Sequence, residues 1–172
     1  MRRLALLPLL PLICLPLAAQ TPKSPQDANK AVVERYIENV LGAGRLEEID
    51  QLVAEGYVDS TPESAEGARG PEVVRANQRR LRERFDNVRY TIDQLVAEGD
   101  LVVARYIVFA TLRSDGKAPG RSAEFAGMTI FRLAEGKIRE TWILNDQLAM
   151  YRQLGYRLEP PAEPATQTAP PP

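Results

Sequence analysis

The stretch Ile138-Arg-Glu-Thr-Trp-Ile-Leu-Asn-Asp-Gln-Leu-Ala-Met-Tyr-Arg-Gln-Leu-Gly155 contains the change of period on which the fold turns. Its first half alternates as a strand does, which puts Ile138, Glu140, Trp142 and Leu144 on one face and lets Asp146 extend that face. Its second half changes to helical spacing, with Leu148, Tyr151, Arg152 and Leu154 forming a short amphipathic helix closed by Gly155. The only Trp of the chain therefore precedes a carboxylate at a strand-to-helix junction. Two roles fit Asp146, and they are compatible. A carboxylate among apolar neighbours is a tunable proton acceptor, and a side-chain oxygen just before Gln147 is a helix cap.

Working backward from this junction, Glu135-Gly136 is a tight hairpin turn. The segment 123–133 is a strand, and Leu101 to Leu112 is a central strand, apolar on both faces apart from Arg105 and Thr111. A strand from Val88 to about Val96 precedes the Glu98-Gly99-Asp100 turn. Ahead of these strands come three helices. The first starts at Ser24-Pro25-Gln26-Asp27, with Ser as cap and Pro in the first turn. It continues through Val33, Tyr36, Ile37, Val40 and Leu41 to a stop at Gly42 and Gly44. A second, short helix carries Leu46, Ile49, Leu52 and Val53 to Gly56, and Tyr57 to Pro62 is a brief extended piece. A third opens at Gly70-Pro71-Glu72, with Val74, Leu81 and Phe85 inward and Asn77 and Gln78 between them. The string Ile-Asp-Gln-Leu-Val-Ala-Glu-Gly occurs at 49–56 and again at 92–99. The surrounding pattern predicts helix for the first copy and strand for the second.

Length and composition fit one soluble domain: 172 residues, 44% apolar, 26% charged, net charge −1. That charge argues against nucleic acid as a partner, and the five Arg between 75 and 84 are expected to be a solvated helix face. Residues 1–19 have a basic start at Arg2-Arg3, an apolar run broken by Pro8, Pro11 and Pro16, and small residues at Ala18-Ala19. They are expected to be a signal peptide cut near Ala19-Gln20, which predicts a secreted or periplasmic protein with no membrane anchor after cleavage. Cys14 follows Ile13 and not the small residue that lipoprotein processing needs, which argues against a lipid anchor. Residues 20–26 are then a leader, 27–155 the domain, and 156–172 a Pro-rich extended tail.

The chain has no His, and Cys14 is its only Cys. This removes Ser-His-Asp and Cys-His catalysis, His proton shuttles and zinc sites built on His or Cys. No metal or cofactor is expected. Carboxylates, Tyr, Lys, Arg and hydroxyls remain as chemical groups.

Three strings, taken in order, resemble the SnoaL-like polyketide cyclases, also called ester cyclases, of the NTF2-like superfamily. They are Leu-Val-Ala-Glu-Gly-Asp-Leu-Val-Val-Ala-Arg at 95–105, Pro-Gly-Arg-Ser-Ala-Glu-Phe-Ala-Gly at 119–127, and Ile-Phe-Arg-Leu-Ala-Glu-Gly-Lys-Ile-Arg-Glu-Thr-Trp at 130–142. Asp146 and Gln153-Leu154-Gly155 follow. The resemblance implies an α+β, NTF2-like cone: three N-terminal helices packed on a curved antiparallel sheet, and a short C-terminal helix. It also implies cofactor-free acid–base chemistry, with an Asp at the place of Asp146 moving a proton during an intramolecular aldol closure. The family's His residues are missing here: the central strand has Ala110-Thr111-Leu112, and the first short strand ends Asp59-Ser60.

The candidate site residues are Asp146 as catalytic base, with Trp142, Tyr57, Tyr106, Phe125, Met128 and Arg105 as ligand contacts. As strand aromatics and apolar residues, most of these are core by default. Arg105 is expected to pair with Glu124 or Glu140 if buried. Three functions follow. The first is enclosure of a small apolar or carbonyl-bearing molecule without turnover, in a pocket reaching Trp142. The second is an acid–base cyclase, isomerase or hydrolase using Asp146. The third is a homodimeric association module pairing through the sheet.

Overall fold

The structure is a computed structural model that describes residues 24–61, 69–114, 116, 120–157 and 159. The expected signal segment with Cys14, most of the leader, residues 62–68 and nearly all of the Pro-rich tail lie outside the described residues.

The first helix, α1 (Pro25–Arg35), begins with a reciprocal cap. Ser24 Oγ accepts from the Asp27 backbone N–H at 3.1 Å, and the Asp27 carboxylate accepts from the Ser24 N–H at 3.3 Å. The helix does not stop at Arg35. It widens into a π-helical segment, Tyr36–Gly42, whose wider turn ends with the Ala43 N–H donating to Glu38 O. Val33, Tyr36, Ile37 and Val40, at i, i+3, i+4 and i+7, are all buried. Full burial of such side chains stabilises by roughly 1.5–3 kcal/mol each.

A 3-10 turn (Leu46–Glu48) leads into α2 (Ile49–Leu52). This helix is shorter than its pattern predicts. The chain becomes extended at Val53, and β1 (Val53–Asp59) pairs in parallel with β5 (Lys137–Asn145). Then come α3 (Pro71–Arg84), β2 (Phe85–Glu98), β3 (Leu101–Leu112), β4 (Ser122–Ala134), and, after β5, α4 (Gln147–Gln153). The sheet order is β1-β5-β4-β3-β2, antiparallel except at the β1–β5 seam. The duplicated octapeptide divides in consequence. Ile49 to Leu52 is helix where Ile92 to Leu95 is strand, but Val-Ala-Glu is strand in both copies.

Bulges give the sheet its curvature. β2 slips register twice against β3, between Asp86 and Arg89 and between Ile92 and Gln94, and Asn87 has φ 53°. β5 slips once against β4: Leu133 pairs with Ile138 but Arg132 pairs with Glu140, so Arg139 is the additional residue. On the concave face, α1 and its π-helical extension cover β2 and β3, and α3 packs on β1 and β2. The main core combines Ile37, Val40, Ile49, Leu52, Val102, Ala104, Phe131 and Ile138. A second, smaller core of Phe85, Ala110, Ala123 and Leu154 is closed by α4, which packs on β4. The fold is thus the α+β cone expected, with the described helices on one side of a five-stranded curved sheet. Among the described residues, no helix is long and apolar enough to cross a membrane.

Candidate functional site

The bulge at Arg139 decides which side chains of β5 face the cone. Uninterrupted alternation would keep Trp142 with Ile138. With one residue inserted, Ile138 shares the inner face with Thr141, Ile143 and Asn145, while Glu140, Trp142 and Leu144 face outward. The expectation that Trp142 points into the hollow is therefore corrected. Its ring lies under the Arg132 guanidinium at 5.2 Å on the outer surface.

Inside the cone is a cavity of about 90 Å3. Four phenols border it: Tyr36 from the π-helical segment, Tyr57 from β1, Tyr90 from β2 and Tyr106 from β3. Two are anchored by threonines on the inner face. Tyr57 Oη lies 2.6 Å from Thr141 Oγ1, and Tyr106 Oη lies 2.8 Å from Thr129 Oγ1 and 3.4 Å from Asn145 Oδ1. Among the described residues, no hydrogen bond reaches the hydroxyls of Tyr36 or Tyr90. Gly127 makes room for this corner, because a Cβ there would collide with the Tyr106 ring and the Asn145 amide. Asn77 and Gln78 of α3 supply amides, and Asp59, the last residue of β1, supplies the only carboxylate among the described residues that border the cavity.

Burial pushes the pKa of all four phenols above their ordinary value of 10.0, because the phenolate would lose its hydration. The Thr141 and Thr129 hydroxyls partly offset this for Tyr57 and Tyr106, and the nearby Asp59 charge raises Tyr36 and Tyr57 further. At neutral pH the cavity therefore presents neutral O–H donors and one acidic side chain. Among the described residues, no group of three or more His, Cys, Asp or Glu is placed to hold a metal.

The candidates named from sequence fall into separate places. Tyr57 and Tyr106 border the cavity. Phe125 lies on the inner face between the two cores. Arg105, Met128 and Asp146 do come together, but around an open groove of about 370 Å3 on the outer face, beside Leu144. Arg105 is ion-paired with Asp93 there, and not with Glu124 or Glu140. Asp146 is exposed and caps α4, its Oδ1 accepting from the Ala149 N–H at 2.8 Å. Tyr36, Tyr90, Asp59, Asn77, Gln78, Thr129, Thr141 and Asn145 were not among the candidates. Asn77 and Gln78 carried a signal, as amides interrupting the apolar stripe of α3.

A model of the family described as SnoaL-like polyketide cyclase matches residues 31–154. The chain belongs to that family. The match runs from the middle of α1 to the end of α4 and so includes every element that borders the cavity. Similar solved structures include TsrD from Streptomyces laurentii, at 26% identity and TM-score 0.65 over 77% of this chain and 98% of that one. IdmH from Streptomyces antibioticus, named as a candidate polyketide cyclase, is 25% identical with TM-score 0.64 over 74% and 99%. A Jannaschia sp. CCS1 protein named as a candidate SnoaL-like polyketide cyclase is 23% identical with TM-score 0.67 over 81% and 100%, a likeness of fold. No curated protein sequence matches this SnoaL-like chain.

Proposed function

We propose that this SnoaL-like protein is exported and holds a small carbonyl-bearing molecule inside the cone. The observation that carries this reading is the cavity bordered by four protonated phenols. The Tyr36 hydroxyl, which no hydrogen bond reaches among the described residues, has its hydrogen available for a ligand oxygen, and carbonyl oxygens are acceptors only. The space limits size. An apolar cavity of roughly 150 Å3 takes one benzene, and drug-sized ligands occupy roughly 300–1,000 Å3. At about 90 Å3 the cavity suits a molecule of a few heavy atoms. A polyketide ester does not fit among these side chains as they stand. Asp146 is on the other side of the sheet from this space, so the reading carries no turnover through Asp146.

Hydroxyacetone, with five heavy atoms, is a suitable probe. Saturation transfer from protein to probe in solution should report binding, and Tyr36→Phe should weaken it by roughly 2- to 10-fold, the worth of one hydrogen bond. Absence of transfer, or an unchanged affinity in Tyr36→Phe, would remove the proposal.

A second reading concerns the outer face, and a specific observation favours it. Cross-strand pairing lines up Val96, Val103, Ile130 and Trp142 in one row, with Met128 and Leu144 in the next. Val96 is 62% exposed and Leu144 76%. An apolar sheet face of this kind fits a second copy of the chain. Leu144→Asp should convert a dimer to a monomer in sizing experiments; a wild-type monomer at micromolar concentration would exclude the pairing.

A further inference from the structure

The acid–base group of this protein, we infer, is Asp59, acting on a carbon next to the carbonyl of the bound molecule. The inference rests on the carbonyl-binding reading above and adds a reaction to it. Three observations place the group. Asp59 ends β1 beside the cavity, in register with Thr141 across the seam. Among the described residues that border that space it is the only carboxylate, whereas Asp146 opens onto the opposite face. Its Oδ1 already accepts from the Thr61 backbone N–H at 3.1 Å, which fixes the carboxylate in an Asx turn and leaves Oδ2 available.

The phenols supply the other half of the chemistry. A carbonyl oxygen accepting from the Tyr36 hydroxyl is held by a neutral donor, which suits an oxygen that gains charge. Asp59 takes a proton from the adjacent carbon. The C–H bond breaks, its electron pair becomes the carbon–carbon double bond of an enolate, and the carbonyl π pair moves to oxygen. The Asp59 carboxyl then gives that proton to solvent and takes a solvent proton (a deuteron in D2O) in its place. It delivers this proton to the enolate carbon, whose double-bond pair forms the new bond as the carbonyl is restored. No oxidant, metal or second substrate is required.

The test follows hydroxyacetone in D2O by proton NMR, with wild type, Asp59→Asn and Asp146→Asn. Asn at 59 keeps the oxygen that accepts from Thr61, and thermal unfolding checks that the variant is folded. Wild type should exchange the carbon-bound protons next to the carbonyl on the order of 100-fold faster than an equal concentration of acetate, as a positioned general base does. Asp59→Asn should lose this while still showing saturation transfer to the probe, and Asp146→Asn should keep it. Saturation transfer without accelerated exchange in wild type overturns the Asp59 role and leaves the binding reading standing. Exchange that survives in Asp59→Asn, or disappears in Asp146→Asn alone, also overturns it. No saturation transfer in wild type overturns both.

Discussion

Tyr57 and Thr141 are joined by hydroxyls 2.6 Å apart across the one parallel seam of the sheet, both side chains almost wholly buried. Thr141 reaches that position because Arg139 is an unpaired residue in β5. The bond therefore ties the first strand to the last, and it orients a phenol that borders the cavity. Thr141→Val keeps the shape and removes the partner, leaving the Tyr57 hydroxyl buried and unsatisfied. The cost should be about 1–3 kcal/mol in urea unfolding. Thr141→Val combined with Tyr57→Phe should recover much of the loss, since neither hydroxyl then remains.

Gly127 is predicted to be intolerant of any side chain. Its neighbours are the Tyr106 ring and the Asn145 amide, both part of the cavity wall. Gly127→Ala should destabilise by about 1–3 kcal/mol and weaken hydroxyacetone binding, measured by thermal unfolding and by saturation transfer. Gly136→Ala offers a contrast. Nothing lies near that position, so its cost should come only from the positive φ of 72°, and the probe should bind as in wild type.

Much of this architecture was legible in the chain, and the exceptions share a cause. Ser24-Pro25, Glu135-Gly136 and Asp146 are local signals, and the structure shows a helix cap, a two-residue turn and a second cap at those places. The inner and outer residues of β3 and β4 also follow from parity alone. The bulges do not. Arg139 is the odd residue only in relation to β4, and Asp93 lies at a slip of β2 only in relation to β3; neither carries a Gly or Pro to mark the place. The start of β1 at Val53 has the same origin, because partnership with Ile138 overrides a helical pattern that extends to Gly56. The candidate site moved with the register. One inserted residue put Trp142 outside and left the cavity to tyrosines that look like ordinary core.

Asp146 should behave as a cap. Asp146→Ala removes the oxygen that receives the Ala149 N–H, and should cost about 1 kcal/mol. Asp146→Asn should cost little, because the amide oxygen replaces the acceptor. Urea unfolding of the two variants checks the difference, and neither should alter probe binding in the cavity.

The four buried phenols make stability fall at high pH. Each holds its proton more tightly folded than unfolded, so the contribution is complete below pH 10, the ordinary phenol value, and is lost as pH rises above it. Ultraviolet absorbance of tyrosinate during a base titration should therefore show these groups ionising together with loss of the fold, above pH 10. In Tyr36→Phe with Tyr90→Phe, that cooperative step should lose about half its amplitude.

The central claim is that ligand enters between the tyrosines and not beside the indole. Protein labelled with 13C at the tyrosine ζ carbons and 15N at the Trp142 indole, titrated with hydroxyacetone, tests it directly. The account predicts that the ζ-carbon resonances of Tyr36, Tyr57, Tyr90 and Tyr106 shift in a saturable way while the indole signal stays in place. A moving indole signal with stationary tyrosines would contradict it.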